Sequence, residues 1–106
     1  MSKIPKRYSQ FMERFPNVGQ AYQDLGLAAS QAGPLVEKDR ELIRLGIAVG
    51  AKMEGAVKSH VRRALESGAS PEEIRHVAIL STTTIGFPSM MAALSWVDKV
   101  LEEAND

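Results

Sequence analysis

The sequence contains no cysteine, which removes thiol nucleophiles, disulfides and thiolate metal sites from anything the chain does by itself. It also lacks net charge: 13 Lys and Arg balance 13 Asp and Glu. No long-range field therefore steers it toward nucleic acid, anionic lipid or an acidic substrate. Long apolar runs are missing. The longest uncharged one, Leu45 to Ala51, falls far short of the roughly 20 residues that a membrane helix needs. The N-terminus, MSKIPKRYSQ, is basic but has no apolar segment behind it, so the chain is expected to be unsecreted and cytoplasmic. Most catalytic signatures are absent as well: there is no Gly-rich phosphate loop, no G-x-S-x-G elbow and no HExxH zinc pair. Neither a metal nor a cofactor is called for.

What remains is helical punctuation. A chain of 106 residues fits one domain and buries roughly 60–70% of its unfolded surface, enough for a real core. Single Pro and Gly residues divide it into five or six expected helices. Pro5 to Arg14 reads as a short first helix, and Pro16, suited to a first helical position, opens a second that Gly33-Pro34 closes. From Glu37 to about Lys52, apolar residues cover more than one face, the pattern of a helix surrounded by protein. Gly50 and Gly55 bracket a weak spot. After it, Val57, Val61, Ala64, Leu65 and Gly68 trace one helical face, with Lys58, Arg62, Arg63 and Glu66 opposite it and Arg62 spaced to meet Glu66. Ser70-Pro71-Glu72-Glu73 is a helix start in which Ser70 caps, Pro71 takes N1 and Glu73 completes a capping box. That helix carries Ile74, Val77, Ala78, Ser81 and Ile85 on one stripe and ends in Thr82-Thr83-Thr84 and Gly86. The last helix opens near Pro88 and runs through Met90, Met91, Leu94, Trp96, Val97, Val100 and Leu101.

The fold class is thus all-α, a compact bundle. Two helices that are apolar around most of their circumference leave more surface than the short helices can cover. A closed, symmetric homo-oligomer, trimer or hexamer, is the expected solution, with the Met-rich last helix in its interface.

Only two side chains titrate near neutral pH without help, His60 and His76. His76 follows Glu72 by four residues and reads as a surface residue. His60 shares a stripe with Met53, Ala56 and Ala64, so its imidazole is flanked by small neighbours. It is either a core histidine satisfied by a backbone carbonyl or a reactive group, and the second reading needs a partner. Glu41 heads a stripe containing Leu45 and Ala48, which puts its carboxylate at the edge of the core. In an antiparallel hairpin position 41 lies far from the connecting turn, so contact with His60 needs some tilt or a neighbouring subunit.

The stretch GPLVEKDRELIRLGIAVGAKMEGAVKSHVRRALESGASPEEIRHVAIL resembles the carboxymuconolactone decarboxylase family, which includes the alkylhydroperoxidase D-like proteins. The likeness runs from residue 33 to 101. It rests on the K-x-R-E-L opening at Lys38, the H-x-x-x-A-L-x-x-G-A segment from His60, the S-P-E-E-I helix start and the G-F-P-S-x-x-x-A-L ending. The organisation it implies is one domain over 1–106, with a helical lead-in at 1–33 and the family core at 34–103.

In the family's peroxidase-like branch a Glu is followed, after eleven residues, by Cys-x-x-Cys-x-x-x-His. Matched to that pattern, Glu41 stands at the glutamate and His60 at the histidine, while Met53 and Ala56 occupy the cysteine positions. Neither a thioether nor a methyl group becomes a thiolate, so a family label of peroxiredoxin activity has no mechanism here. The decarboxylase branch is redox-inactive. The likeness to it implies a cofactor-independent lyase acting on a small carboxylated or carbonyl compound; such chemistry needs a positioned acid, for which His60 oriented by Glu41 is the candidate, and a cationic grip on the substrate carboxylate, for which Arg44 and Lys52 are the candidates. The Lys52-Met53-Glu54-Gly55 segment does not reproduce that branch's Arg- and Glu-rich approach to the histidine, which leaves the substrate open. The rival reading is a non-catalytic relative whose Met53-lined pocket binds a small hydrophobic ligand, or whose surface binds a protein. A helix-turn-helix nucleic-acid binder could cite Lys58, Arg62 and Arg63, but balanced charge and the acid-rich following helix oppose phosphate contact.

Overall fold

Proline, serine and glycine set most helix ends. The computed structural model, which describes residues 4–105, contains α1 (Lys6–Arg14), α2 (Pro16–Ser30), α3 (Glu37–Gly50), α4 (Glu54–Glu66), α5 (Pro71–Leu80), α6 (Thr82–Ile85) and α7 (Phe87–Ala104). Among the described residues there is no strand, and the chain is all-α. No helix among them is long and apolar enough to cross a membrane. Two compact units divide between Leu35 and Val36.

In the N-terminal unit, α1 and α2 pair closely at Gly19, the one buried residue of α2, where a Cβ would collide with the Met12 side chain. The Phe11 and Phe15 rings pack at a tilt of 40° with their centres 5.3 Å apart, and the Arg14 guanidinium lies 5.4 Å from the Phe15 ring centre. Pro16 at the start of α2 needs no amide donor, which is why two helices can be joined through Phe15 alone.

The second unit holds the core. Leu45 and Val49 of α3, Val57 and Val61 of α4, Ile74 of α5 and Val97 of α7 are the largest fully buried side chains, each worth roughly 1.5–3 kcal/mol of hydrophobic burial. Helix α7 packs on α4, α5 and α6, so its wide apolar arc is largely used within one chain. Met90 is buried and only Met91 of the methionine pair stays out, at 46% exposure. The reading of α3 as a helix enclosed by protein does not hold for a single chain, because Ile43 and Ile47 are 48% and 67% exposed.

The expected tally of five or six helices becomes seven among the described residues because the Thr run does not simply end α5. The Ser81 hydroxyl donates to the Ala78 carbonyl at 2.6 Å and Thr82 to that of Ile79 at 2.6 Å, a local competition that breaks the helix and restarts it as α6. The expected Arg62–Glu66 pair does not form either. Lys58 instead reaches back to Glu54 at 2.8 Å, in the favoured i,i+4 order.

The capping box at α5 is present. The Ser70 hydroxyl accepts from the Glu73 amide at 3.1 Å, and the Glu73 carboxylate accepts from the Ser70 amide at 2.9 Å. The same carboxylate takes Lys38 of α3 at 2.9 Å. The Ser70 amide, and secondarily Lys38, hold the Glu73 carboxyl below its ordinary 4.5, while the hydrogen bond to Glu73 lifts Lys38 above 10.5. A depressed carboxyl contributes stability above its unfolded value and loses it as pH falls through the folded one; a raised amine does so in the opposite sense, above pH 10.5. Ser70→Ala is expected to cost about 1 kcal/mol in denaturant unfolding. Glu73→Gln should flatten the acid-side loss of stability below pH 4.5.

Candidate functional site

The site is carried by the α3–α4 hairpin, whose connection is only Ala51 to Met53. Ordinarily a glycine would take the left-handed position that ends a helix; here Lys52 does, at φ 57°. Its amide donates to the Val49 carbonyl at 3.0 Å and that of Met53 to Ala48 at 3.1 Å, the paired bonds that close a helix end with a left-handed residue. Helix α4 ends the same way at Gly68, φ 94°, with Ala69 donating to Ala64 at 2.9 Å. The sequence places the weak spot correctly, but α3 stops at Gly50 rather than near Lys52, because Lys52 itself makes the turn.

A left-handed non-glycine residue costs roughly 1–2 kcal/mol, against roughly 0.5–1 kcal/mol of extra chain entropy for glycine. Lys52→Gly is therefore expected to stabilise the hairpin by about 0.5–1 kcal/mol in thermal or denaturant unfolding. If Lys52 holds a substrate carboxylate, the same variant loses ligand affinity while it gains stability.

Along the hairpin, Glu41 lies about 13 Å from the end of α3 and His60 about 9 Å into α4, an offset smaller than one helical turn. The side chains span it within one chain. His60 Nδ1 meets Glu41 Oε1 at 2.9 Å, and Arg44, one turn beyond Glu41, donates from Nη1 to Glu41 Oε2 at 2.9 Å. The Glu41 side chain is 8% exposed, with Arg44 and His60 at 28% and 20%. One carboxylate thus bridges an imidazole and a guanidinium at the rim of the core. The partner of His60 is a carboxylate, not the backbone carbonyl that a core histidine would take.

Nδ1 is taken up by the Glu41 carboxyl group, and Nε2 is the ring nitrogen that lies outside this contact. This divides an imidazole into an anchored end and a working end, the arrangement on which base–orienter pairs depend.

The remaining residues singled out in the sequence lie nearer the turn. Ala56, one turn before His60, is half-buried against the core, and Met53 caps α4 with 57% of its surface exposed. Lys52 is exposed and about 12 Å along the hairpin from His60. Sequence reasoning did not foresee the Glu41–Arg44 pair, although its E-x-x-R spacing is a helical ion-pair signal. Nor did it anticipate the Arg75–Asp98 bridge at 2.8 Å that ties α5 to α7. His76 is exposed, as its surroundings suggest. Among the described residues no group of three or more His, Asp or Glu is placed to hold a metal ion, and no buried side-chain nitrogen or oxygen lacks a hydrogen-bond partner.

The profile of the carboxymuconolactone decarboxylase family matches residues 16–99, a span that contains the whole α3–α4 hairpin. A protein of Haemophilus influenzae, described as an uncharacterized protein, is 37% identical over 63 residues, covering 59% of this chain and 56% of that protein. The chain therefore spans little more than half the length of that curated relative. No solved structure matches the chain.

Proposed function

Because the chain belongs to the carboxymuconolactone decarboxylase family, we propose that it is a redox-inactive member that works by cofactor-free proton transfer or decarboxylation on a small carboxylated or carbonyl compound. The observation that carries this reading is the 2.9 Å contact between His60 Nδ1 and the buried Glu41 carboxylate. The thiol chemistry of the peroxidase-like branch has no atoms to use, since the chain holds no cysteine and Met53 and Ala56 stand at the matching positions.

In the proposed step the bond between the substrate's α-carbon and its carboxylate breaks. Carbon dioxide leaves, and the electron pair passes into conjugation with an adjacent carbonyl. His60, as imidazolium, delivers its Nε2 proton to that carbon. Glu41 holds Nδ1–H throughout, stabilising the charged ring and fixing its direction, and the neutral imidazole then recovers a proton from solvent. The balance is one carboxylate and one proton in, one C–H bond and one carbon dioxide out.

The test is a panel of 3-oxo acids and unsaturated lactone acids incubated with the protein in deuterated water. Carbon dioxide release or deuterium incorporation beside the carbonyl is expected for at least one class. A panel that shows neither, at protein concentrations well above catalytic ones, returns the chain to the ligand-binding reading.

The proposal extends to assembly as a closed homo-oligomer, a trimer or hexamer. Support comes from the apolar side chains left outside the second unit, Ile43 and Ile47 on α3 and Phe87 and Met91 on α7, since exposed patches of this kind mark association surfaces. Light scattering is expected to give a mass of several copies, and Ile47→Asp to lower it to that of one. A wild-type protein that runs as a monomer overturns this part.

A further inference from the structure

We infer that the α1–α2 hairpin carries an interaction surface of its own, an apolar face that pairs with the same face of a second copy. The inference rests on the assembly reading and extends it from the second unit to the first. Phe11, Phe15, Val18, Tyr22 and Leu25 are between 43% and 67% exposed, and among the described residues of α1 and α2 only Gly19 is buried. Two helices with no core between them leave their apolar stripes to be covered from outside.

The five side chains share one side of the hairpin. Met12 of α1 meets Gly19 of α2, and Phe11 and Val18 each stand one position earlier, about a quarter turn from that contact. Gln23 reaches the Tyr8 hydroxyl at 3.5 Å, so the helices run antiparallel. In an antiparallel pair the same sense of rotation turns both residues to the same side. Phe15, one turn beyond Phe11, and Tyr22 and Leu25, one and two turns beyond Val18, continue the two stripes. Stacked face to face, two such hairpins make a four-helix bundle, which closes all four stripes at once.

The charges choose how the copies meet. Met12 with Gly19 and Tyr8 with Gln23 set the levels of the hairpin, and the next level pairs position 7 with position 24. Arg7 stands toward the outer edge of α1 and Asp24 toward that of α2, both exposed, and Asp24 takes the Gln20 side chain at 3.0 Å on Oδ1. A two-fold axis parallel to the helices lays α1 of one copy on α2 of the other without a change of level. Arg7 of each copy then shares an edge with Asp24 of the other, whereas a perpendicular axis sets the Arg7 and Arg14 edges together. Exposed pairs of this kind add little affinity; they fix the orientation. With Lys6, Arg7 and Arg14 set against Glu13 and Asp24, the hairpin is too evenly charged for an anionic membrane, which draws clusters of roughly 4–8 basic residues.

Stable interfaces take about 20–30 residues a side, and this face is smaller. One hairpin pair therefore does not hold two copies by itself, but several pairs formed together between two trimers reinforce one another. Pairing two by two also needs an even number of copies, which selects the hexamer over the trimer.

The experiment measures the mass of the full chain by light scattering, with circular dichroism on the same samples. Wild type is expected at six copies, and Val18→Asp, which puts a charge within the face, at three. Arg7→Asp should give three as well, and the charge-swapped Arg7→Asp, Asp24→Arg chain should return to six; that restoration carries the test if Val18→Asp loses helix. Wild-type mass retained in every folded variant overturns the pairing and leaves the assembly through α3 and α7 standing, as does a wild type of three copies. A wild type of one copy overturns both readings. Co-sedimentation with phosphatidylserine vesicles that Val18→Asp abolishes without changing the mass assigns the face to lipid and overturns the pairing too.

Discussion

Replacing His60 by alanine is expected to lower turnover about 10²- to 10⁴-fold, the usual contribution of a positioned general acid or base, while leaving the helical content unchanged. The expectation of an intact fold follows from location: the side chain is 20% exposed and sits beside the fully buried Val57, Val61 and Ala64 rather than among them. Glu41→Gln removes the charge but keeps the shape, and should lower turnover by a smaller factor. Residues that act as one unit are not additive, so the Glu41→Gln, His60→Ala double variant is expected to be no slower than His60→Ala alone. Steady-state rates on the best substrate of the panel, with circular dichroism on the same samples, check all three. Additive losses would mean that the two groups act independently, and unfolding of His60→Ala would return the residue to the core.

Leu45→Ala should have the largest effect on stability, about 2–5 kcal/mol, read as a lowered denaturation midpoint. Leu45 has no exposed surface and lies one turn beyond Glu41, in the layer of α3 that faces the other core helices. Truncation leaves a cavity in the face of α3 that packs on α4 and α5, and close-packed neighbours fill such a space only in part. The loss should appear with little change in kcat under conditions where the variant remains folded, because Glu41, Arg44 and His60 hold one another through hydrogen bonds that do not pass through Leu45. Set beside His60→Ala, it separates what the hairpin needs in order to stand from what it needs in order to react.

Much of this was legible in the sequence because the signals were local. Pro16, Ser70-Pro71 with Glu73, and Gly68 each fix a helix end through their own backbone chemistry, and each stands where it was read. The face of α4 followed from residue spacing, as did the placement of Glu41 and His60 on neighbouring helices. The turn at Lys52 was not legible, since left-handed backbone is a glycine habit and two glycines stood nearby as the obvious candidates. The Thr82–Ile85 break was missed because Ser and Thr hydroxyls can either tolerate a helix or compete with it, and spacing alone does not decide which. Whether Glu41 reaches His60 in one chain turned on an axial offset of less than a turn. That is a question of side-chain reach, which a pattern of letters does not contain. Arg44 was read by its charge alone, and its partner, Glu41 three residues back on the same helix, went unread.

The hairpin has a kinetic meaning as well. Glu41 and His60 are joined by one short segment with a three-residue turn, whereas α7 must come back across the whole of α5 and α6 to reach α4. Contacts between near neighbours in sequence form on faster timescales than those that close long loops. The α3–α4 pairing is therefore expected to form ahead of the closure by α7. A chain caught before that closure would already hold Glu41 and His60 on neighbouring helices.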